Sequence, residues 1–560
     1  MIRGTSAQAS CAGPTSGEAI RPSDPGRPAP SGWPRPAVVA VVAVLLLQWA
    51  YVALAPFERL NLYVNDDAYY YLFVARNWIA HGFPSFDGVE PTNGFQPLWQ
   101  LIVLPAALAG RRLVQLRLML AAGGMLFQIG VLLGTLGLFR LAGRRVALAF
   151  LALAEFNVVL AWTFALDGME ASLQVALLGA VLWRLGRDHA NGSDRVGWLG
   201  ALAGLYGVSR LDGLAMLPCL GVYLWRRRVR GPRLAAFALL AALPAATSLL
   251  VNELWTGDPL PVSGEVKLVA NERAVEAAGG GVVARVRLGA PNLARAIFSV
   301  ASRTVGGYVY FAARLLDVPH RWISFPAGFA AIGLLCLGLA RLCSRSFRPL
   351  RTALAPFAGA AAMSLAFYTW AYPATFHLYD WYFAAELFLS LVLLAVAAAP
   401  WLGRGAGVAA LASLGAVGFA GFLTNQENLA HLRPVQDAVR YVESSPDLRS
   451  RRVASWDAGV VAFLLRQPVT NLDGLVNSRA FFDRFVAGPA PIRDYLDARG
   501  IDVLVNPITE DPAGIARSGF RGLALGSFAV EHVTPRFVAP FGEVRRAVVL
   551  RLLPAASARP

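Results

Sequence analysis

Long apolar runs separated by short basic clusters set the rhythm of this chain. They cover roughly 37–56, 113–138, 146–165, 171–186, 197–225, 233–251, 321–342, 352–371, 382–399 and 405–423. An α-helix crosses a bilayer with about 20 apolar residues, so most of these runs read as spanning helices. Two runs need interpretation. The stretch 97–110 is too short for a simple span, and a crossing there would push Arg140, Arg144, Arg145, Arg184, Arg187 and the arginines of 226–233 outside, against the positive-inside tendency. It is therefore expected to lie along the outer surface. The run 197–225 reads as two short helices, each about 21 Å long at 1.5 Å per residue, meeting at the polar turn Ser209-Arg210-Leu211-Asp212-Gly213.

The resulting expectation is a mainly α fold: a polytopic transmembrane helical bundle of about eleven spans, with the N-terminus inside and the C-terminus outside. Residues 1–36, rich in Pro, Gly and Ser, read as a disordered cytoplasmic tail. The bundle occupies 37–423, with outer loops at 57–112 and 252–320. The second of these is expected to be a long loop with a glycine-rich passage and an amphipathic stretch near 292–316. Residues 424–560 read as a soluble extracytoplasmic α/β domain, with short β-type runs at 452–455, 468–471, 501–505 and 547–552 alternating with helical ones near 457–466, 478–487 and 490–499.

Composition agrees with a membrane protein, since 56% of the 560 residues are hydrophobic and only 15% are charged. The net charge of +16 comes from clusters between apolar runs rather than from a basic face, which argues against nucleic acid as a partner. The four cysteines show no CxxC or Cys/His spacing, so neither a disulfide framework nor a thiolate metal site is expected.

Chemistry is expected where polar residues gather at the outer ends of the runs. Asn65-Asp66-Asp67-Ala68-Tyr69-Tyr70-Tyr71 opens an amphipathic segment just past the first run. Asn65 could cap a helix with the two acids in its first turn, where the dipole favours them. The functional alternative is a general base beside a second charge-holding carboxylate, because capping needs only one acid. Asp167 and Glu170 offer a second acidic wall or an ordinary helix start. Arg210 and Asp212 either pair with each other or present an arginine to a phosphate. Lys267 is the single lysine among 51 basic residues, which suggests a site that needs a compact ammonium. His377, Tyr379, Asp380 and Tyr382 cluster at another outer helix mouth, where aromatic anchors are also common. The turns at 456–459 and 471–477 read as ordinary strand ends, although such ends are also where sites form.

The motif Asp66-Asp67-Ala68-Tyr69-Tyr70 in the first outer loop, followed by Asn93-Gly94-Phe95-Gln96-Pro97-Leu98-Trp99, resembles the GT-C superfamily of integral-membrane glycosyltransferases, notably bacterial members similar to the aminoarabinose and protein mannosyl transferases. The resemblance implies transfer of a sugar from a polyprenyl-phosphate donor to an envelope glycan, lipid or protein hydroxyl, at the outer side of a bacterial cytoplasmic membrane. It places Asp66 as catalytic acid with Asp67 as its partner. It puts Tyr69, Tyr70, Asn93, Gln96, Glu170, Arg210, Asp212, Lys267, His377, Tyr379 and Asp380 around the substrates. A divalent metal ion held by Asp66 and Asp67 is an open expectation, since hard cations prefer carboxylate oxygens. Two rivals stay open at this point: a lipid or sugar transporter, and a non-catalytic envelope-assembly scaffold.

The orientation is testable with reporters. A fusion after Thr424 is expected to be active only outside the cytoplasm and one within 226–233 only inside; cytoplasmic activity at the C-terminal fusion would mean that 97–110 or 197–225 is misplaced.

Overall fold

The computed structural model describes residues 35–61, 64–192, 195–314, 320–374, 382–402, 405–424, 433–508, 521, 523–524, 527–538 and 544–554. The expected tail and the trio His377, Tyr379 and Asp380 lie outside these residues. Among the described residues the chain is mainly helical, with a small sheet near its C-terminal end. Five helices are long and apolar enough to cross a membrane, or six if a bent pair counts as one span. Shorter apolar helices include Val41–Leu54, Pro97–Leu108, Val196–Ser209 and Gly407–Gly421.

The stretch 97–110 forms the short helix Pro97–Val103, continued by one 3₁₀ turn, Leu104–Leu108. The run 197–225 is interrupted as expected: helix Val196–Ser209, a 3₁₀ turn at Leu211–Ala215, then helix Met216–Arg226. The break falls at Arg210, whose backbone is extended (φ −157°, ψ 136°). The run 146–165, expected to be one straight span, is instead broken into Arg144–Phe156 and Val158–Leu166, bent by 64°. Asn157 causes the break. Its Oδ1 accepts from the Leu160 N–H at 3.1 Å, and its Nδ2 donates to the Arg303 carbonyl at 3.0 Å, so the side chain starts a new helix while tying the bend to a neighbour. The expected long loop at 252–320 is also corrected. It is built largely of two helices, Val262–Ala277 and Gly281–Arg314, joined by glycines at positive φ (Gly279 at 103°, Gly280 at 72°).

The helices Arg112–Ala142 and Ala171–Asn191 pack along facing glycines. A Cβ on Gly179 would lie 2.1 Å from the Gly130 carbonyl oxygen, and one on Gly186 would lie 2.8 Å from that of Gly137. Small residues repeated at this spacing let two backbones approach closely, the usual means of fastening helices in lipid. That contact fixes Ala171–Asn191, and with it Glu170 at its head.

The sheet has the order β2–β1–β3–β6–β4, with β5 beside β6. Strands β1 (Val453–Ser455), β2 (Val469–Asn471) and β3 (Val503–Ile508) are parallel; β6 (Val544–Leu552) runs antiparallel to β3, β4 (Phe528–Val533) and β5 (Phe537–Val538). Four of these strands match the expected β-runs. The strand β4 was not legible, because a bulge between Val530 and His532 interrupts its alternation. Val503, Val505, Ala547 and Val549 join the core shared with the helical bundle, whereas Leu504, Val548 and Leu550 point into a second core on the other face.

The sheet region is therefore packed onto the bundle and onto the stretches 57–112 and 252–320. Helix Ala458–Leu464, which follows β1, lies against helix Asp66–His81. Asp66 holds its first turn, and Arg112 donates to the carbonyls of Leu464 and Leu465 at 3.0 and 2.9 Å at its last. Arg479 pairs with Asp258 and Glu265, Arg499 with Glu90 at 2.9 Å, and Thr92 Oγ1 donates to the Asn477 carbonyl at 2.9 Å. A Cβ on Gly459 would lie 2.1 Å from the Asp66 carbonyl oxygen. Backbone atoms cannot yield as a flexible side chain does. Gly459→Ala is accordingly expected to loosen the sheet region from the bundle at a cost of about 1–3 kcal/mol, seen as faster proteolysis beyond residue 433; unchanged proteolysis would show that the interface accommodates a methyl group.

Candidate active site

Helix Asp66–His81 starts where the sequence pattern placed it, but not by the expected cap. Asn65 occupies the cap position, yet its side chain makes no capping hydrogen bond. Its backbone N–H instead donates to the Asp167 carbonyl at 3.1 Å. Asp167 closes its own turn by accepting from the Met169 N–H at 2.9 Å, and Trp99 Nε1 donates to the Gly168 carbonyl at 3.1 Å. The first outer loop and the 166–170 turn are thus fastened to each other before any charged side chain is placed.

Asp66 and Asp67 sit deep in the protein, yet each keeps part of its surface accessible, as expected of groups lining a cleft. Asp66 Oδ1 accepts from the Val460 N–H at 2.7 Å and Oδ2 from the Gly459 N–H at 3.0 Å. Burial, followed by the nearby Asp457 carboxylate, nevertheless holds its pKa well above the usual carboxylate range, against the lowering effect of those two N–H groups. Asp67 accepts no hydrogen bond among the described residues. Burial raises its pKa as well, with Lys267 and Arg210 opposing and Asp457 and Glu170 adding to the rise.

Tyr70 extends the site to the loops at the carboxyl ends of β1 and β2. Its hydroxyl donates to Asp473 Oδ2 at 2.6 Å and accepts from the Ala458 N–H and Asn471 Nδ2, both at 3.3 Å. Burial, offset partly by that tyrosine, pushes Asp473 up to about 7. The turns read as ordinary strand ends thus supply two further acids, Asp457 and Asp473. The carboxyl edge of a parallel sheet, where loops diverge, is a general place for sites. The sequence signal lay in acids directly following β-runs, but nothing local tied those loops to residues almost 400 positions earlier.

Across the cleft stand the cations. Arg210, 7% exposed, donates to Glu170 through Nη1, to Asp212 Oδ1 from Nε at 3.1 Å and to the Tyr368 hydroxyl from Nη2 at 3.0 Å. The Tyr71 hydroxyl donates to the other Glu170 oxygen at 3.0 Å. The guanidinium lies 4.4 Å from the centre of the Tyr382 ring, and Lys267 Nζ donates to the Tyr382 hydroxyl at 2.7 Å. Burial lowers the Lys267 pKa, but Tyr382 and Asp67 more than reverse this, so the ammonium stays charged. Arg210 is already balanced by two carboxylates. Lys267 hydrogen-bonds only Tyr382 among the described residues, which leaves it the more available cation.

The structure therefore brings Asp66, Asp67, Tyr70, Glu170, Arg210, Asp212 and Lys267 together. It does not bring Asn93 or Tyr69 with them. Asn93 Nδ2 donates to Thr256 Oγ1 at 3.0 Å and to the Leu260 carbonyl at 2.8 Å, while its Oδ1 accepts from the Val262 N–H at 2.9 Å. It shapes the turn that leads to the Lys267 helix. Tyr69 packs its ring on Phe463 and bonds Asn61, within the docking interface. Gln96 stands at the head of helix Pro97–Val103, with its Oε1 buried and unpartnered among the described residues. Among the described residues no three His, Cys, Asp or Glu side chains converge as a metal set, so the structure adds no third ligand to Asp66 and Asp67 for the expected divalent ion.

No protein-family model matches the chain, and none of the curated proteins matches it. Among solved structures it is similar to ArnT from Cupriavidus metallidurans bound to undecaprenyl phosphate, with 15% identity over 93% of this chain and 99% of that one and a TM-score of 0.53. It is also matched to the Archaeoglobus fulgidus oligosaccharyltransferase tethered with an acceptor peptide, with 14% identity over 84% of this chain and 68% of that one and a TM-score of 0.46. The likeness to ArnT shows the fold alone: over nearly its whole length this chain shares the architecture of that structure.

Proposed function

We propose that the protein is a membrane glycosyltransferase that moves a sugar from a polyprenyl-phosphate donor to an envelope hydroxyl. In this reading the bundle has about eleven spans, and the cleft and the sheet region lie outside a bacterial cytoplasmic membrane. One observation carries the proposal. Asp67 lies close enough to Lys267, some 200 residues later, for the two charges to act on each other, and both side chains sit deep in the protein while keeping part of their surface accessible. The fold it shares with an undecaprenyl-phosphate-bound protein supports a lipid-phosphate donor.

Displacement at an anomeric carbon needs a proton acceptor on one side and a cation on the other. The acceptor oxygen forms its bond to the anomeric carbon as the bond from that carbon to the phosphate oxygen breaks. Asp66, remote from the cations and beside Asp457, takes the hydroxyl proton; each of its oxygens keeps a lone pair beyond the one that accepts a backbone N–H. Lys267 neutralises the departing phosphate, and Arg210 with Tyr382 fixes the position of Lys267. Asp67 stands between the two sides, where a sugar hydroxyl can bond it.

Purified protein, incubated with polyprenyl-phosphate sugars and envelope extract from its own cells, is expected to release polyprenyl phosphate measurable by mass spectrometry. Asp66→Asn is expected to lower release about 10²–10⁴-fold. It should also loosen the sheet region, because the amide nitrogen would meet a backbone N–H. Lys267→Met tests the chemistry without touching that interface: undiminished release by the folded variant would remove Lys267 from the reaction, and no release by the unaltered protein would favour the scaffold reading.

Asp66 acts as a base only when ionised, so the rate should climb as pH rises through its raised pKa. Asp457→Asn removes a neighbouring negative charge, lowers that pKa and should move the acidic limb of the kcat/KM profile to lower pH. A limb that stays in place would separate Asp66 from proton transfer.

A further inference from the structure

A second cavity, of about 170 Å³, opens at the other end of the bundle. It is lined by His189, Tyr223, Arg227, Arg348 and Thr352 on its polar side, with Leu141, Leu185, Pro349 and Ala353 as its apolar wall. Two helices fix its distance from the carboxylate cleft. Ala171–Asn191 has 21 residues, about 30 Å at 1.5 Å per residue; it carries Glu170 at its head and His189 at its tail. Arg348–Ala371 runs in the opposite sense, with Arg348 and Thr352 at the cavity and Tyr368 in the cleft. The two sites lie at opposite ends of the bundle, about one hydrocarbon thickness apart.

The chemistry of the lining is one-sided. Among the described residues no carboxylate belongs to it, and Asp188, next to His189, is held in a buried pair with Arg184. The Arg227 guanidinium donates to the Tyr223 hydroxyl at 3.0 Å, which aims it beside the opening. Val222 and Trp225, both about half exposed, flank Arg227 on the same helix end, as residues do at the boundary of acyl chains and headgroups. Guanidinium groups, a hydroxyl and an imidazole around an acid-free space suit a phosphate, and the apolar wall and exposed rim suit a phosphate that carries a lipid.

We propose that this cavity binds the phosphate headgroup of an anionic membrane lipid, on the face opposite the carboxylate cleft. The site is independent of the transfer reaction and stands whether or not that reaction is glycosyl transfer.

The test uses full-length protein reconstituted in phosphatidylcholine vesicles with or without phosphatidylglycerol, repurified in detergent, and analysed for retained lipid by mass spectrometry. Phosphatidylglycerol should be retained in preference to phosphatidylcholine. Arg227→Gln and Arg348→Gln should each weaken retention roughly fivefold, the contribution expected of one arginine near an anionic surface. Thr352→Leu, which fills the cavity without changing charge, should also weaken it. Arg345→Gln combined with Arg351→Gln, which alters nearby arginines outside the lining, should leave retention intact. Equal retention of the two lipids overturns the proposal. So does an equal loss in the Arg345/Arg351 variant, which would mean diffuse surface charge, and so does full competition by inorganic phosphate, which would mean a soluble anion.

Discussion

Helix Ala458–Leu464 is held at both ends by residues of the bundle. The Asp66 carboxylate takes the Gly459 and Val460 N–H groups of its first turn, and the Arg112 guanidinium takes the carbonyls of its last. A negative group at the amino end and a positive one at the carboxyl end both complement the helix dipole, each with about 0.3–1 kcal/mol and up to ~2 kcal/mol when partly buried. The orientation matters more than the energy. With this helix clamped, the loops after β1 and β2 fall on the Asp66–His81 helix, and Tyr70 is drawn between Ala458, Asn471 and Asp473. The same carboxylate that defines the cleft also docks the region that closes it.

The cleft separates charge at low cost because its strongest charges are already balanced. Arg210, Glu170 and Asp212 form one hydrogen-bonded group with Tyr368, so none of them is an unpaired buried ion. Among the described residues Lys267 has no carboxylate within salt-bridge distance, and it rests on Tyr382, whose ring also faces Arg210. Tyr382 therefore links the balanced group to the available ammonium. On the other side, burial first and the Asp457 carboxylate after it raise the pKa values of Asp66 and Asp473, which suits one of these carboxyl groups to proton transfer.

Much of the helical framework was legible because membrane helices write their boundaries in composition. A short apolar run at 97–110 cannot span, and a run holding Arg210 and Asp212 cannot remain a straight lipid-facing helix, so both interruptions followed from sequence. The bend at Asn157 did not, because one asparagine within an apolar run has no sign of its own; its effect depends on the Arg303 carbonyl it meets. The helices hidden in 252–320 were obscured by the glycine-rich passage whose Gly279 and Gly280 sit between them at positive φ. At the site, Asp66, Asp67 and Lys267 were visible as chemical oddities. Asn93 looked like them but is wholly engaged in shaping a turn.

By itself, then, the sequence determined that the chain is built around apolar helices, where polar breaks interrupt them, and which outer carboxylates and which lone lysine are out of keeping with their surroundings. These are local properties: hydropathy over about 20 residues, charge type, and the spacing of turns. Only the tertiary structure decided that Asp66 meets the helix after β1, that Asp457 and Asp473 join it, that Arg210 is already balanced, and that Asn93 is structural. Apart from the local Arg210–Asp212 pair, each of those outcomes depends on a partner between 40 and 403 residues away, and whether a polar group is satisfied or available depends on that partner rather than on its neighbours in the chain.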